Sequence, residues 1–84
     1  MVFITLLSPK GKGTEAVNYL KRLKSPAGIT IREVYFTLGR YDGVIVFEAP
    51  DANKAMNFVM ATGFATDYTV ETLAAIPAKE LSKQ

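Results

Sequence analysis

Phe36-Thr37-Leu38-Gly39-Arg40-Tyr41-Asp42-Gly43-Val44-Ile45-Val46-Phe47-Glu48-Ala49-Pro50-Asp51 joins two apolar strands through a tight turn and runs straight into a helix cap. Gly39 can take a positive φ, Asp42 can bond the turn backbone, and Tyr41 can pack over the strand ends, so the segment 39–42 reads as a hairpin turn. Before it, Ile29 to Leu38 is rich in β-branched and aromatic residues and alternates in polarity, as an unequally covered strand does. The apolar phase changes near Arg32, which marks a bulge. After the turn, Val44-Ile45-Val46-Phe47 is apolar on both faces of the pleat, Pro50 stops the strand, and Asp51 caps a helix. That helix carries Ala52, Ala55, Met56, Val59 and Met60 on one stripe, with Gly63 as its C-terminal stop. Methionines one turn apart, Met56 and Met60, read as core filling.

Outward from this centre, Val2 to Leu7 is a nearly continuous apolar run closed by Ser8-Pro9-Lys10-Gly11-Lys12-Gly13, hence a strand and a loop. Thr14 offers an N-cap. Ala16, Val17, Tyr19, Leu20 and Leu23 then follow helical spacing opposite Asn18, Lys21, Arg22 and Lys24, until Ser25-Pro26-Ala27-Gly28 breaks the pattern. Thr66 to Ile76 is a last, more alternating strand. Pro77 ends it, and residues 78–84 form a tail with room for a helical turn.

The order β-α-β-β-α-β with right-handed crossovers gives an α+β, ferredoxin-like arrangement, a four-stranded antiparallel sheet of order 4-1-3-2 over a single domain, residues 1–84. This order places in the middle the two strands that are apolar on both faces, and at the edges the two that alternate. Two short helices cover one face only. If the turn pairs Leu38 with Gly43, Phe36 lies opposite Ile45 and Val34 opposite Phe47 on the helix-facing side. The other face then receives Glu33, Tyr35, Thr37, Val44, Val46 and Glu48, too apolar for water and too polar for a plain core. It reads as a subunit interface containing a pocket, and the partner implied is the chain itself, as a homodimer or a multiple of dimers.

Candidate binding residues follow from that face and from the turn. Glu33 and Glu48 are expected as cross-strand neighbours, an acid–base pair or hard-cation site, or two carboxylates each matched by a Lys or Arg of a partner subunit. Tyr35 can hydrogen-bond a ligand or anchor the interface. Arg40 projects from the turn as a carboxylate or phosphate clamp or as a solvated side chain. Lys10-Gly11-Lys12-Gly13 has the ingredients of an anion nest but lacks the closing Gly-Lys-Ser/Thr of a P-loop, so nucleotide binding is not expected.

Composition narrows the chemistry. At 84 residues, folding buries only about 60–65% of the unfolded surface, so the monomer is marginal and association is favoured. There is no Cys and no His among the 84 residues, which removes disulfides, thiolate nucleophiles and the usual general acid–base and transition-metal ligand. No cofactor and no metal are expected, and the balance leans away from an enzyme. Ten basic and eight acidic residues leave a net charge of +2, too even to argue for nucleic acid or an anionic membrane. Lys21, Arg22 and Lys24 have no interleaved aromatic residue, so no base-stacking surface is expected. The start lacks a basic n-region and no run is long enough to span a bilayer, so the expectation is a cytoplasmic chain without a membrane partner.

The pattern of Gly39, Tyr41 and Asp42, an apolar strand, and then Glu48-Ala49-Pro50-Asp51 resembles the GYD family of small ferredoxin-like domains. Weaker support comes from Glu71-Thr72-Leu73. The resemblance implies pairing of two sheets as a dimeric α/β barrel, an assembly used both by ligand-binding domains and by small enzymes. Val70 and Ala74 stand near positions where relatives often carry basic residues, so an anion site relying on those positions is not carried over. The Gly-x-Tyr-Asp turn is also similar to that of amino-acid-sensing domains of the Lrp/AsnC type, where ligand binds between subunits. Three functions are therefore open. They are a non-catalytic oligomeric module binding a small polar metabolite at its interface, a cofactor-free enzyme using Glu33 or Glu48 with Tyr35 or Arg40, and a purely structural assembly module.

Overall fold

The structure is a computed structural model, which describes residues 1–9, 21, 23–61 and 68–81. The first helix, with Thr14, the Lys10-Gly11-Lys12-Gly13 segment and the Gly63 stop, lies outside the described residues. The described chain forms strands β1 (Val2–Pro9), β2 (Thr30–Phe36) and β3 (Gly43–Glu48), helix α1 (Ala52–Ala61), strand β4 (Tyr68–Ala75) and a 3₁₀ turn at Ala78–Glu80. The four strands make one sheet of order β2-β3-β1-β4, the expected 4-1-3-2 read from the other edge, and every pairing is antiparallel. This is a small α+β, ferredoxin-like fold. No helix among the described residues is long and apolar enough to cross a membrane.

Burial alternates along the two central strands with the period of the pleat. Phe3, Thr5 and Leu7 of β1 and Ile45 and Phe47 of β3 are buried, whereas Val2, Ile4, Leu6, Val44 and Val46 are only half-buried. The buried set packs under α1 through an aromatic column. Phe47 stacks on Phe3 at 5.6 Å between ring centroids and meets Phe58 of α1 edge-on at 4.9 Å. Within this core the fully buried Thr5 is satisfied by Thr72, their Oγ1 atoms 3.0 Å apart across β1 and β4. An unpaired buried hydroxyl would cost about 1–3 kcal/mol.

Asp51 caps α1 as its side chain allows, Oδ1 accepting from the Lys54 backbone N–H at 2.8 Å. Of the expected stripe, Ala55 and Val59 turn inward, joined by Phe58, and the methionines do not. Ala55, Phe58 and Val59 are buried, while Met56 and Met60 are exposed. Rows 52-56-60 and 55-59 are both apolar, and the phenyl ring of Phe58, seated on Phe47, selects the second.

The hairpin register also differs. Phe36, not Leu38, pairs with Gly43, and Val34 lies opposite Ile45. The shift is by two residues, so each side chain keeps its face, as the two-residue pleat period requires. The bulge near Arg32 is present. Ile31 pairs with Phe47 and Glu33 with Val46, with Arg32 as the extra residue between them. Ahead of β2, the Ile29 N–H donates to the Pro26 carbonyl at 3.1 Å over Gly28 at φ 86°, a turn whose third residue must tolerate a positive φ.

Candidate functional site

The face of the sheet away from α1 gathers Val2, Ile4 and Leu6, Val44 and Val46, and Leu73 of β4, which pairs with Ile4. Tyr35 stands opposite Val44 and Glu33 opposite Val46 on the β2 side, while Glu71 lies opposite Leu6 on the β4 side. An aliphatic centre thus has polar groups along both margins. Tyr35 and Leu73 are each exposed.

At one end of this face, Glu48 does not meet Glu33 directly. It lies opposite Thr30, and its Oε2 accepts from both Nε and Nη2 of Arg32. The bulge supplies a cation for Glu48, and it comes from the same chain rather than from a partner subunit. Arg32 and Glu48 remain 58% and 35% exposed, so the pair is a surface salt bridge. It borders an open cleft of about 910 Å³ whose walls include Met1, Val2, Ala75 and Pro77 together with the 3₁₀ turn.

At the other end sits the 37–42 turn. Gly39 has φ 131°, which a side chain would strain, as expected from its place in the turn. Asp42 holds the turn through its backbone. Its N–H donates to Leu7 O at 2.8 Å and its carbonyl accepts from the Thr37 N–H at 3.1 Å. Thr37 Oγ1 donates to Tyr41 O at 2.5 Å, and Ser8 Oγ donates to Arg40 O at 2.7 Å, pinning the turn to the end of β1. Tyr41 reaches over β1 to β4, where its hydroxyl donates to Glu71 Oε1 at 2.8 Å. That hydrogen bond, with the carboxylate's charge, pushes the Tyr41 phenol above the ordinary tyrosine value, and Arg40 opposes the shift.

The expected site residues therefore fall into separate groups. Glu48 lies at the cleft end, Arg40, Tyr41 and Asp42 at the turn end, and Glu33 and Tyr35 along the β2 margin. The length of β3 separates the two ends by about 17 Å at roughly 3.3 Å per residue. Within one chain they do not converge. Arg32, Glu71 and the 76–80 segment were not singled out as site residues. The phase break at Arg32 pointed to the bulge, but only the resulting register shows which carboxylate it serves. Among the described residues no group of three or more His, Cys, Asp or Glu is arranged to hold a metal ion.

These features define a small ferredoxin-like α+β module with one covered and one open sheet face, and with a turn locked to the sheet by its own backbone. The chain belongs to the GYD domain family, whose model matches residues 5–84. Among solved structures it is similar to one described as "crystal structure of FFRP-DM1", with a TM-score of 0.61 and 21% identity, covering 89% of this chain and 96% of that one. At this identity the likeness bears on the fold alone. No curated protein matches the chain.

Proposed function

We propose that the chain acts as a single domain, a non-catalytic homo-oligomeric GYD module that pairs through its open sheet face as a dimeric α/β barrel and binds a small polar metabolite at that interface. The observation that carries this reading is the open face itself. Val2, Ile4, Leu6, Val44 and Val46 keep only partial cover within one chain, and Leu73 is exposed. Contiguous apolar surface of this kind, rimmed by polar groups, marks an interaction or ligand site. A second sheet would cover the aliphatic centre and leave Tyr35, Glu33 and the Arg32–Glu48 pair at its margin, where a polar ligand can reach them. Tyr41, Arg40 and Asp42 would serve as the frame of the other margin.

The hydrogen-bonding of the turn favours a positioning role for Tyr41 and Asp42, since both are already engaged within the chain. The engagement of Glu48 by Arg32 likewise weighs against its use as a free general base.

Light scattering on a sizing column over a wide concentration range tests the assembly, and a dimer or multiple of dimers is expected. Thermal unfolding with a dicarboxylate, a hydroxy acid, a polyamine and a sugar phosphate, each alone, tests the ligand class. A compound present at 100 times its Kd stabilises by about 2.7 kcal/mol. A monomer at every concentration would refute the interface. A dimer unmoved by all four classes would favour the purely structural module.

A further inference from the structure

We infer that Met56 and Met60 form a reversible oxidation site on α1, where two-electron oxidants of the peroxide class convert both thioethers to sulfoxides while the fold stands. The site does not depend on the interface reading above, because α1 lies on the covered face of the sheet and pairing through the open face leaves it in water.

The chain carries all of its sulfur as three methionines and has no cysteine, so a thioether is its softest nucleophile. Methionine usually fills gaps in a core. Here none does so. Met1, Met56 and Met60 are 61%, 51% and 61% exposed, while Phe3, Phe47, Phe58 and aliphatic residues make up the core. Met56 and Met60 stand one turn apart on a helix that is anchored by Ala55, Phe58 and Val59. Oxidation of a core methionine forces a polar sulfoxide among apolar neighbours and disrupts them. Oxidation of this pair takes no atom out of the core.

The local sequence also suits the product. Asn-x-x-Met occurs twice in register, Asn53 three residues before Met56 and Asn57 three before Met60. Residues three apart are neighbours on a helix surface, and both asparagines are exposed. Each carboxamide offers N–H donors, which a thioether sulfur accepts weakly and a sulfoxide oxygen accepts well. In the reaction a sulfur lone pair attacks one peroxide oxygen, the O–O bond breaks and the S–O bond forms. The second oxygen leaves as water once it has taken up the proton, so sulfur loses two electrons and the peroxide gains them. Methionine sulfoxide reductases restore the thioether.

The test is a time course of the full chain in hydrogen peroxide, read residue by residue by peptide mass spectrometry beside N-acetylmethionine amide. Met56 and Met60 are each expected to oxidise within about threefold of the free compound's rate, as exposed thioethers do. The oxidised chain should keep its melting temperature to within about 4 °C, as after a change at the surface. The double variant Met56→Leu/Met60→Leu takes up oxygen at Met1 alone and separates that residue's contribution. Oxidation of either helix residue more than about tenfold slower than the free compound would overturn the site, since the sulfur is then shielded. A larger loss of melting temperature on oxidation that the double variant abolishes would overturn it too, since the pair then supports the fold.

Discussion

The two faces of the sheet are built from the same two central strands and nearly the same side chains, yet only one is a core. Ile45 and Phe47 are fully buried, whereas Val44 and Val46, their immediate neighbours in β3, are half-open. Nothing in the intrinsic hydrophobicity of Val against Ile explains the difference. Cover does. Phe47 has Phe3 beside it and Phe58 of α1 above it, while Val46 has only Ile4 and Glu33 as strand neighbours. Burial in this domain is decided by what lies over a strand, and a strand apolar on both sides asks for two covers.

The sharpest way to break the comparison is a matched pair of truncations. Phe47→Ala is expected to destabilise the fold by about 3–5 kcal/mol, the range for emptying an aromatic core site. Val46→Ala should cost well under half of that in the isolated chain, measured by urea unfolding at dilution. Equal losses would mean that the second face is already covered. Next, Gly39→Ala should cost about 1–3 kcal/mol, because φ 131° is a region that side chains avoid. Removing the cap beneath the covered face, Asp51→Ala, should cost about 1 kcal/mol in the same assay.

On the open face the expected effects are smaller. Arg32→Ala breaks an exposed ion pair and should change monomer stability by about 0–1 kcal/mol, with the difference shrinking as salt is added. A larger, salt-insensitive loss would show that the pair is buried by assembly. The smallest effect is the pH response of Tyr41. Its raised pKa means that the stabilisation from the Glu71 hydrogen bond is present below the ordinary tyrosine value and lost as pH rises through the raised one. The Tyr41 phenol should titrate late in ultraviolet difference spectra, and Glu71→Ala should return it toward about 10. A difference titration that Glu71→Ala leaves unchanged would refute the hydrogen bond.

Much of this architecture was legible in the residues because its signals are local. Period-two apolarity, the Gly39 turn, the Asp51 cap and the phase break at Arg32 each depend on a few neighbouring side chains, and the strand order follows from which strands are apolar on both sides. The hairpin register was displaced by two residues because a longer loop, residues 37–42, is closed by the Asp42 N–H bond to Leu7, a residue some thirty-five positions away in sequence. Met56 and Met60 were placed inward because two apolar rows on one short helix have nearly equal claims, and the choice depends on where Phe58 can reach Phe47.

The candidate site was less legible for the same reason. Glu48, Tyr35 and Tyr41 could be picked as polar groups beside apolar strands, but their partners could not. Arg32 meets Glu48 through a bulge that shifts the pairing by one, and Glu71 meets Tyr41 across a strand neither belongs to. By itself the sequence determined the element types of the described residues, the strand order and which strand residues share each apolar face, all of which rest on short-range pattern and chain connectivity. Tertiary structure alone decided which carboxylate each polar group answers to, and that the family turn is braced against β1 and β4, because these depend on contacts between residues far apart in the chain.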